Sequence, residues 1–149
     1  MSTARPIALV TGASGDIGGA IAQVLGSHGW HVIGTYVGAA DAAAATVTAI
    51  TDAGGSAEAM QLDQRDPDAI EALIETIRQR YDRLDVLVNN AAWNIGIPFR
   101  RLDELTADVW DRVMETNLRA PFLLARAAAA LLSAGDGGHI VNISSAGGI

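Results

Sequence analysis

The sequence predicts an α/β protein built on a doubly wound parallel sheet. Short apolar runs alternate with amphipathic helical patterns along the whole chain. A glycine-rich turn joins the first apolar run to the first helical pattern. The resulting order, β-α-β-α-β-α-β-α-β, requires right-handed crossovers with helices on both faces.

Ile7-Ala8-Leu9-Val10 is a continuous apolar run closed by Thr11-Gly12, and reads as a strand buried on both faces. Ile17, Ile21, Val24, Leu25 and His28 follow at helical spacing, with Gly29 as the stop. His31 to Tyr36 reads as the second strand. Asp41 is placed to cap an alanine-rich helix ending near Gly54-Gly55, and Ala57 to Leu62 is a weaker third strand. Asp66-Pro67-Asp68 is a helix start: a capping acid, proline at the first helical position, and acid in the first turn. Ile70, Leu73, Ile74, Ile77 and Tyr81 then share one face. Leu84 to Val88 is the fourth strand. Thr106 can cap one long helix carrying Val109, Val113, Asn117 and Leu124. Gly135 to Gly138 form a turn before a fifth strand, His139 to Ile143.

Composition narrows the function. The chain has 149 residues, 50% of them hydrophobic and 18% charged, which suits one folded domain. With 10 Lys+Arg against 17 Asp+Glu the net charge is −7, which argues against a nucleic-acid surface. It does not exclude a small anion held by backbone N–H groups. There is no cysteine, so thiolate metal sites and a catalytic thiol are excluded. His28, His31 and His139 are scattered, and no metal site is expected. Met1-Ser2-Thr3-Ala4-Arg5-Pro6 carries no targeting pattern, and Ala120 to Leu132 is interrupted by Arg126. A cytoplasmic protein off the membrane is the expectation.

The turn Thr11-Gly12-Ala13-Ser14-Gly15-Asp16-Ile17-Gly18-Gly19 carries the chemistry. A phosphate must approach backbone N–H groups at a helix N-terminus, and side chains there would block it. The alternative is an ordinary tight βα turn. Its setting between a strand and a helix favours nucleotide binding. Asp16 is out of character beside a phosphate. It fits as an acid at the helix start that faces away. Ligands of such sheets bind at the carboxyl ends of the strands, here near Thr11–Gly18, Tyr36–Val37, Asp63, Asn89–Trp93 and Ser144–Ser145.

Five segments together resemble the short-chain dehydrogenase/reductase family: Thr11–Gly18, Asp63, Leu84–Ala92, Asn117-Leu118-Arg119-Ala120-Pro121-Phe122 and Ile140–Ser145. The likeness is greatest to 3-oxoacyl-carrier-protein reductases and related alcohol or sugar dehydrogenases. It implies a Rossmann-type sheet with strand order 3-2-1-4-5. It also implies a nicotinamide dinucleotide held by Gly12, Ser14, Gly15, Asp16, Ile17 and Gly18 at its pyrophosphate and ribose. Asp63 would bond the adenine amino group with the Gln64 backbone beside it, and Asn90 and Ala91 would line the central cleft. Asn117 would order a proton-relay water, and Ser145 would bond the substrate carbonyl or hydroxyl. Each position also has a plain structural reading, Asp63 as a strand end and Asn89-Asn90 as turn residues among them.

Three departures from the family pattern stand out. Asp16 occupies the place of the usual central glycine, and Ala92 the place of the glycine after Asn-Asn-Ala. The Tyr-x-x-x-Lys pair of the family falls past Ile149, so the resemblance implies the N-terminal part of a longer dinucleotide-binding domain. Neither Tyr36 nor Tyr81 matches that motif. Tyr36 stands where NAD users carry an acid, so the cofactor is NADP or NAD, with NADP favoured. Trp93 either walls a substrate pocket or packs in a loop. The expected function is hydride transfer between NAD(P) and a small-molecule carbonyl or secondary alcohol, in a homo-oligomer when complete. The rival is a cofactor-binding fragment or pseudoenzyme, inactive alone or completed by another polypeptide.

Overall fold

The computed structural model describes residues 5–134 and 136–145. The first four residues, part of the segment read for targeting, and Gly135 of the expected turn lie outside them. Five strands, β1 (Ile7–Val10), β2 (His31–Tyr36), β3 (Ser56–Gln61), β4 (Val86–Asn89) and β5 (His139–Asn142), form one sheet in the order β3-β2-β1-β4-β5. Every pairing is parallel, with Ile7 opposite His31, Ala8 opposite Val86, and Val86 opposite His139. The anticipated class and strand order are those of the structure.

Side-chain alternation along β1 divides the core. Ile7 and Leu9 join Ile33 and Leu87 on one face, under α3 (Pro67–Tyr81) and α5 (Ala120–Leu132). Ala8 and Val10 join Val32, Val86 and Val88 on the other, under α1 (Asp16–Ser27) and α2 (Ala40–Asp52). All four β1 residues are buried, as a central parallel strand requires. Asp66 caps α3, its carboxylate accepting from Asp68 N at 2.9 Å and Ala69 N at 3.4 Å, with Pro67 opening the helix. Ile70, Leu73, Ile74 and Ile77 are buried as the periodicity requires.

Three expectations are corrected. On α1 the fully buried residues are Gly18, Gly19, Ala22 and Gly26; Ile21 and Leu25 of the apolar pattern pack half-buried against the core, while Ile17 and Val24 are exposed. The helix lies too close to its neighbours for large side chains: a Cβ on Gly26 would come within 2.5 Å of Ile50. Asp41 does not cap α2. The helix starts at Ala40 after an uncapped Ala39, and Asp41 lies in the first turn, where its charge suits the helix N-terminus.

The helix after Thr106 is not continuous. It comprises α4 (Ala107–Met114), a π turn (Glu115–Arg119) and α5. Thr106 does cap α4, its hydroxyl accepting from Val109 N at 3.3 Å. Pro121 removes a main-chain donor just past the π turn, a usual cause of such a break. No helix among the described residues is long and apolar enough to cross a membrane.

The Asp66 cap gives a direct check on this local reading. Asp66→Ala is expected to lower unfolding stability by about 1 kcal/mol. The measurement is the urea midpoint at unchanged m-value, and an unshifted midpoint would contradict the cap's contribution.

Candidate functional site

A cleft of about 660 Å³ opens at the carboxyl ends of β1, β2 and β4. It is lined by Gly12, Ser14, Gly15, Asp16, Ile17 and Gly18 from the first turn, and by Tyr36 at the end of β2. Asp63, Gln64 and Arg65 line it after β3, Asn90 to Trp93 after β4, and Arg112 and Thr116 from the α4 region. The sequence-derived binding positions are thus gathered around one cavity. Ser145 is not among the residues lining it; it follows β5 and is exposed.

The glycine turn is held from three sides. Thr11 is 1% exposed, and its Oγ1 accepts from Asn90 N at 3.0 Å and Ala91 N at 2.9 Å. Asn90 Nδ2 returns a bond to Thr11 O at 2.9 Å. Ala13 N donates to Thr35 O of β2 at 2.9 Å, and Thr46 Oγ1 of α2 donates to Ala13 O at 3.0 Å. Two glycines are required by this packing. Gly12 has φ +70°, and a Cβ there would sit 3.0 Å from Ala91. A Cβ on Gly18 would lie 2.2 Å from Gly12 O and 2.6 Å from Asn90 Nδ2. Gly15 is different, since its Cβ would meet only Gly12 O, at 3.5 Å. The turn therefore brings bare backbone to the first turn of α1, whose N–H groups have no partner within the helix. Asp16 opens that turn without capping it; the cap position is Gly15.

Asp63 is not isolated. Arg65 grips its carboxylate with Nε at 3.0 Å and Nη2 at 2.6 Å, and Arg65 N adds a third bond at 3.0 Å. The guanidinium holds the Asp63 carboxyl below its ordinary range, with burial opposing. Gln64 is 5% exposed, and its side chain, not only its backbone, is engaged: Nε2 donates to Ala91 O at 3.1 Å and Thr116 O at 2.8 Å. Asn117 lies in the π turn. It accepts from Trp93 N at 2.8 Å and donates to Trp93 O at 2.9 Å, while the Arg112 guanidinium sits 4.2 Å from the Trp93 ring centroid.

Sequence reasoning missed Arg65, Arg112, Thr116 and the Gln64 side chain. Arg112 left no local signal, because its partner Trp93 is brought close only by the fold. Tyr81 is remote from the cleft. It closes α3 at the opposite end of the sheet, where its hydroxyl donates to Glu58 and lies 2.8 Å from His31 Nε2. Burial, then the Glu58 carboxylate, push its phenol up to about 12, the wrong direction for proton transfer near neutral pH.

A family model described as short chain dehydrogenase matches residues 6–149. An uncharacterized oxidoreductase of Methylorubrum extorquens is 41% identical over 140 residues, covering 93% of this chain and 54% of its own length. A 3-oxoacyl-[acyl-carrier-protein] reductase of Synechocystis is 36% identical over 143 residues, covering 96% and 57%. The crystal structure of a metagenomic short-chain oxidoreductase in complex with NADP superposes with TM-score 0.87 at 42% identity, covering 94% of this chain and 62% of that one. The chain spans about half the length of the curated relatives it matches. With the sheet order, the glycine turn and the match over residues 6–149 all in agreement, the chain belongs to the short-chain dehydrogenase/reductase family.

Proposed function

We propose that this chain forms the dinucleotide-binding part of an NAD(P)-dependent oxidoreductase acting on a small-molecule carbonyl or secondary alcohol. The observation that carries this reading is the close approach of Gly12 O to Gly18 beside Asn90. That packing leaves no room for a side chain beside the N-terminus of α1, whose first-turn N–H groups lack helical partners and suit an anion. The residues fit the group. Ser14 to Gly18 would hold the pyrophosphate, Tyr36 would face the adenosine ribose, and Asn90 and Ala91 would line the middle of the cleft. Asp63 retains capacity for the adenine amino group: a carboxylate has about four lone-pair sites, and Arg65 takes three bonds.

Hydride chemistry is supplied by the bound nicotinamide, while the protein supplies position and electrostatics. With its side chain held by Trp93, Asn117 would order a proton-relay water through its main chain, and Ser145 would bond the substrate oxygen. The NADP complex of the metagenomic relative and the lack of an acid at Tyr36 both favour NADP. Likeness to a 3-oxoacyl-[acyl-carrier-protein] reductase supports a carbonyl substrate. A second reading, cofactor binding without turnover by these 149 residues alone, is favoured by the placement of Tyr81, which cannot serve the cleft.

Titration with NADPH and NADH, followed by carbonyl-dependent oxidation of each, tests both readings. Binding with turnover lost in Ser145→Ala supports the enzyme; binding without turnover supports the second reading; binding of neither removes both. Gly18→Ala is expected to weaken NADPH binding at least about tenfold, some 1.4 kcal/mol, because its Cβ meets backbone. Gly15→Ala, with open space, is expected to retain binding.

The Asp63–Arg65 pair predicts a pH dependence. The folded carboxyl titrates below its unfolded value, so the pair's contribution is present above the ordinary aspartate range and fades as pH falls through the folded value. Both side chains are more than a third exposed, so Arg65→Met should cost less than about 1 kcal/mol at pH 7. Urea midpoints of wild type and variant should converge as pH falls below the ordinary aspartate range and through the lowered folded value; a gap that stays constant would contradict the assignment.

A further inference from the structure

The π turn leaves one carbonyl without a helical partner. In an α-helix Thr116 O would accept from the N–H of Ala120, and in a π-helix from that of residue 121. Ala120 N–H donates to Glu115 O instead, and residue 121 is proline, which has no N–H. Gln64 supplies the missing donor. Its Nε2 carries two hydrogens, one directed to Thr116 O at 2.8 Å and the other to Ala91 O at 3.1 Å.

We propose that Gln64 is a positioning residue, which pins the π turn to the end of β4 so that Asn117 meets the main chain of Trp93. The sequence of causes starts at the π turn, where Ala120 N–H bonds Glu115 O and Pro121 has no N–H, so that the carbonyl of Thr116 is left open. Gln64, 5% exposed, fills that vacancy and ties it to Ala91. Asn117, the next residue, then brackets Trp93 N–H and C=O at 2.8 and 2.9 Å. Trp93 and Arg112, stacked at 4.2 Å, are thereby fixed on the cleft wall. A neutral amide suits this place because two carbonyl oxygens need two donors from one group; a carboxylate would offer acceptors only. The bearing of Gln64 on turnover rests on the oxidoreductase reading above, but the mechanical link does not.

Native-state amide exchange on the 149-residue chain tests the link. Gln64→Met should speed exchange of the Trp93 amide by about fivefold or more, while the Leu9 and Val10 amides of β1 keep their rates. In a Pro121→Ala background, where residue 121 has its own N–H, the same substitution should change Trp93 by less than about twofold. If Gln64→Met does not fold, Gln64→Glu, which keeps the size and loses the donors, serves the same comparison. An unchanged Trp93 rate, a uniform acceleration of Trp93 and core amides, or an equal effect in both backgrounds would overturn the proposal. NADPH titration of wild type is read separately: its failure would remove the functional reading and leave the exchange result to decide this one.

Discussion

A single buried hydroxyl joins the two strand ends that make the cleft. Thr11 Oγ1 takes both the Asn90 and the Ala91 amide, and so fixes the exit of β4 against the exit of β1. Asn90 closes the loop by donating its side chain to Thr11 O. Because Thr11 is buried and its partners are half-buried, breaking one bond leaves a polar group that water reaches poorly. The left-handed conformation of Gly12, the absence of a side chain at Gly18 and the presentation of the α1 N-terminus all follow from how tightly these ends are drawn together.

The other wall of the cleft is built by a different means. There the backbone is broken rather than tightened. A π turn interrupts the helix just before Pro121, and the freed carbonyl is taken up by a side chain that follows β3. Asn117, at the centre of that turn, spends both polar atoms on Trp93. One wall thus depends on small residues and close backbone contact. The other depends on carboxamides that replace missing main-chain bonds.

Much of this was legible in the sequence because it is written in local patterns. The β1 run, the Asp66-Pro67-Asp68 start and the glycine turn each express a constraint within a few residues, and each lies where its pattern places it. The positions gathered around the cleft were legible for a related reason: the ends of parallel strands converge whatever the details of packing. What was not legible depends on distant partners. The glycines of α1 that are fully buried are set by its closeness to α2 and to the first turn, which its apolar periodicity does not show. The pairing of Arg112 with Trp93 joins α4 to the segment after β4 and exists only in the folded chain. Pro121 did carry a signal, a missing main-chain donor inside a helix, but nothing local moves the open carbonyl to Thr116 or names Gln64 as the donor.

In the proposed function a dinucleotide phosphate binds at the backbone of the first turn, held by Thr11. Backbone amide chemical shifts followed through an NADPH titration test it most directly. The largest changes are expected at Ser14 to Gly18, with further changes at Asp63 to Arg65 and at Asn90 and Ala91, and none at the His31–Tyr81 end of the sheet. Saturable shifts confined to other surfaces, with the Ser14–Gly18 amides unmoved, would contradict it.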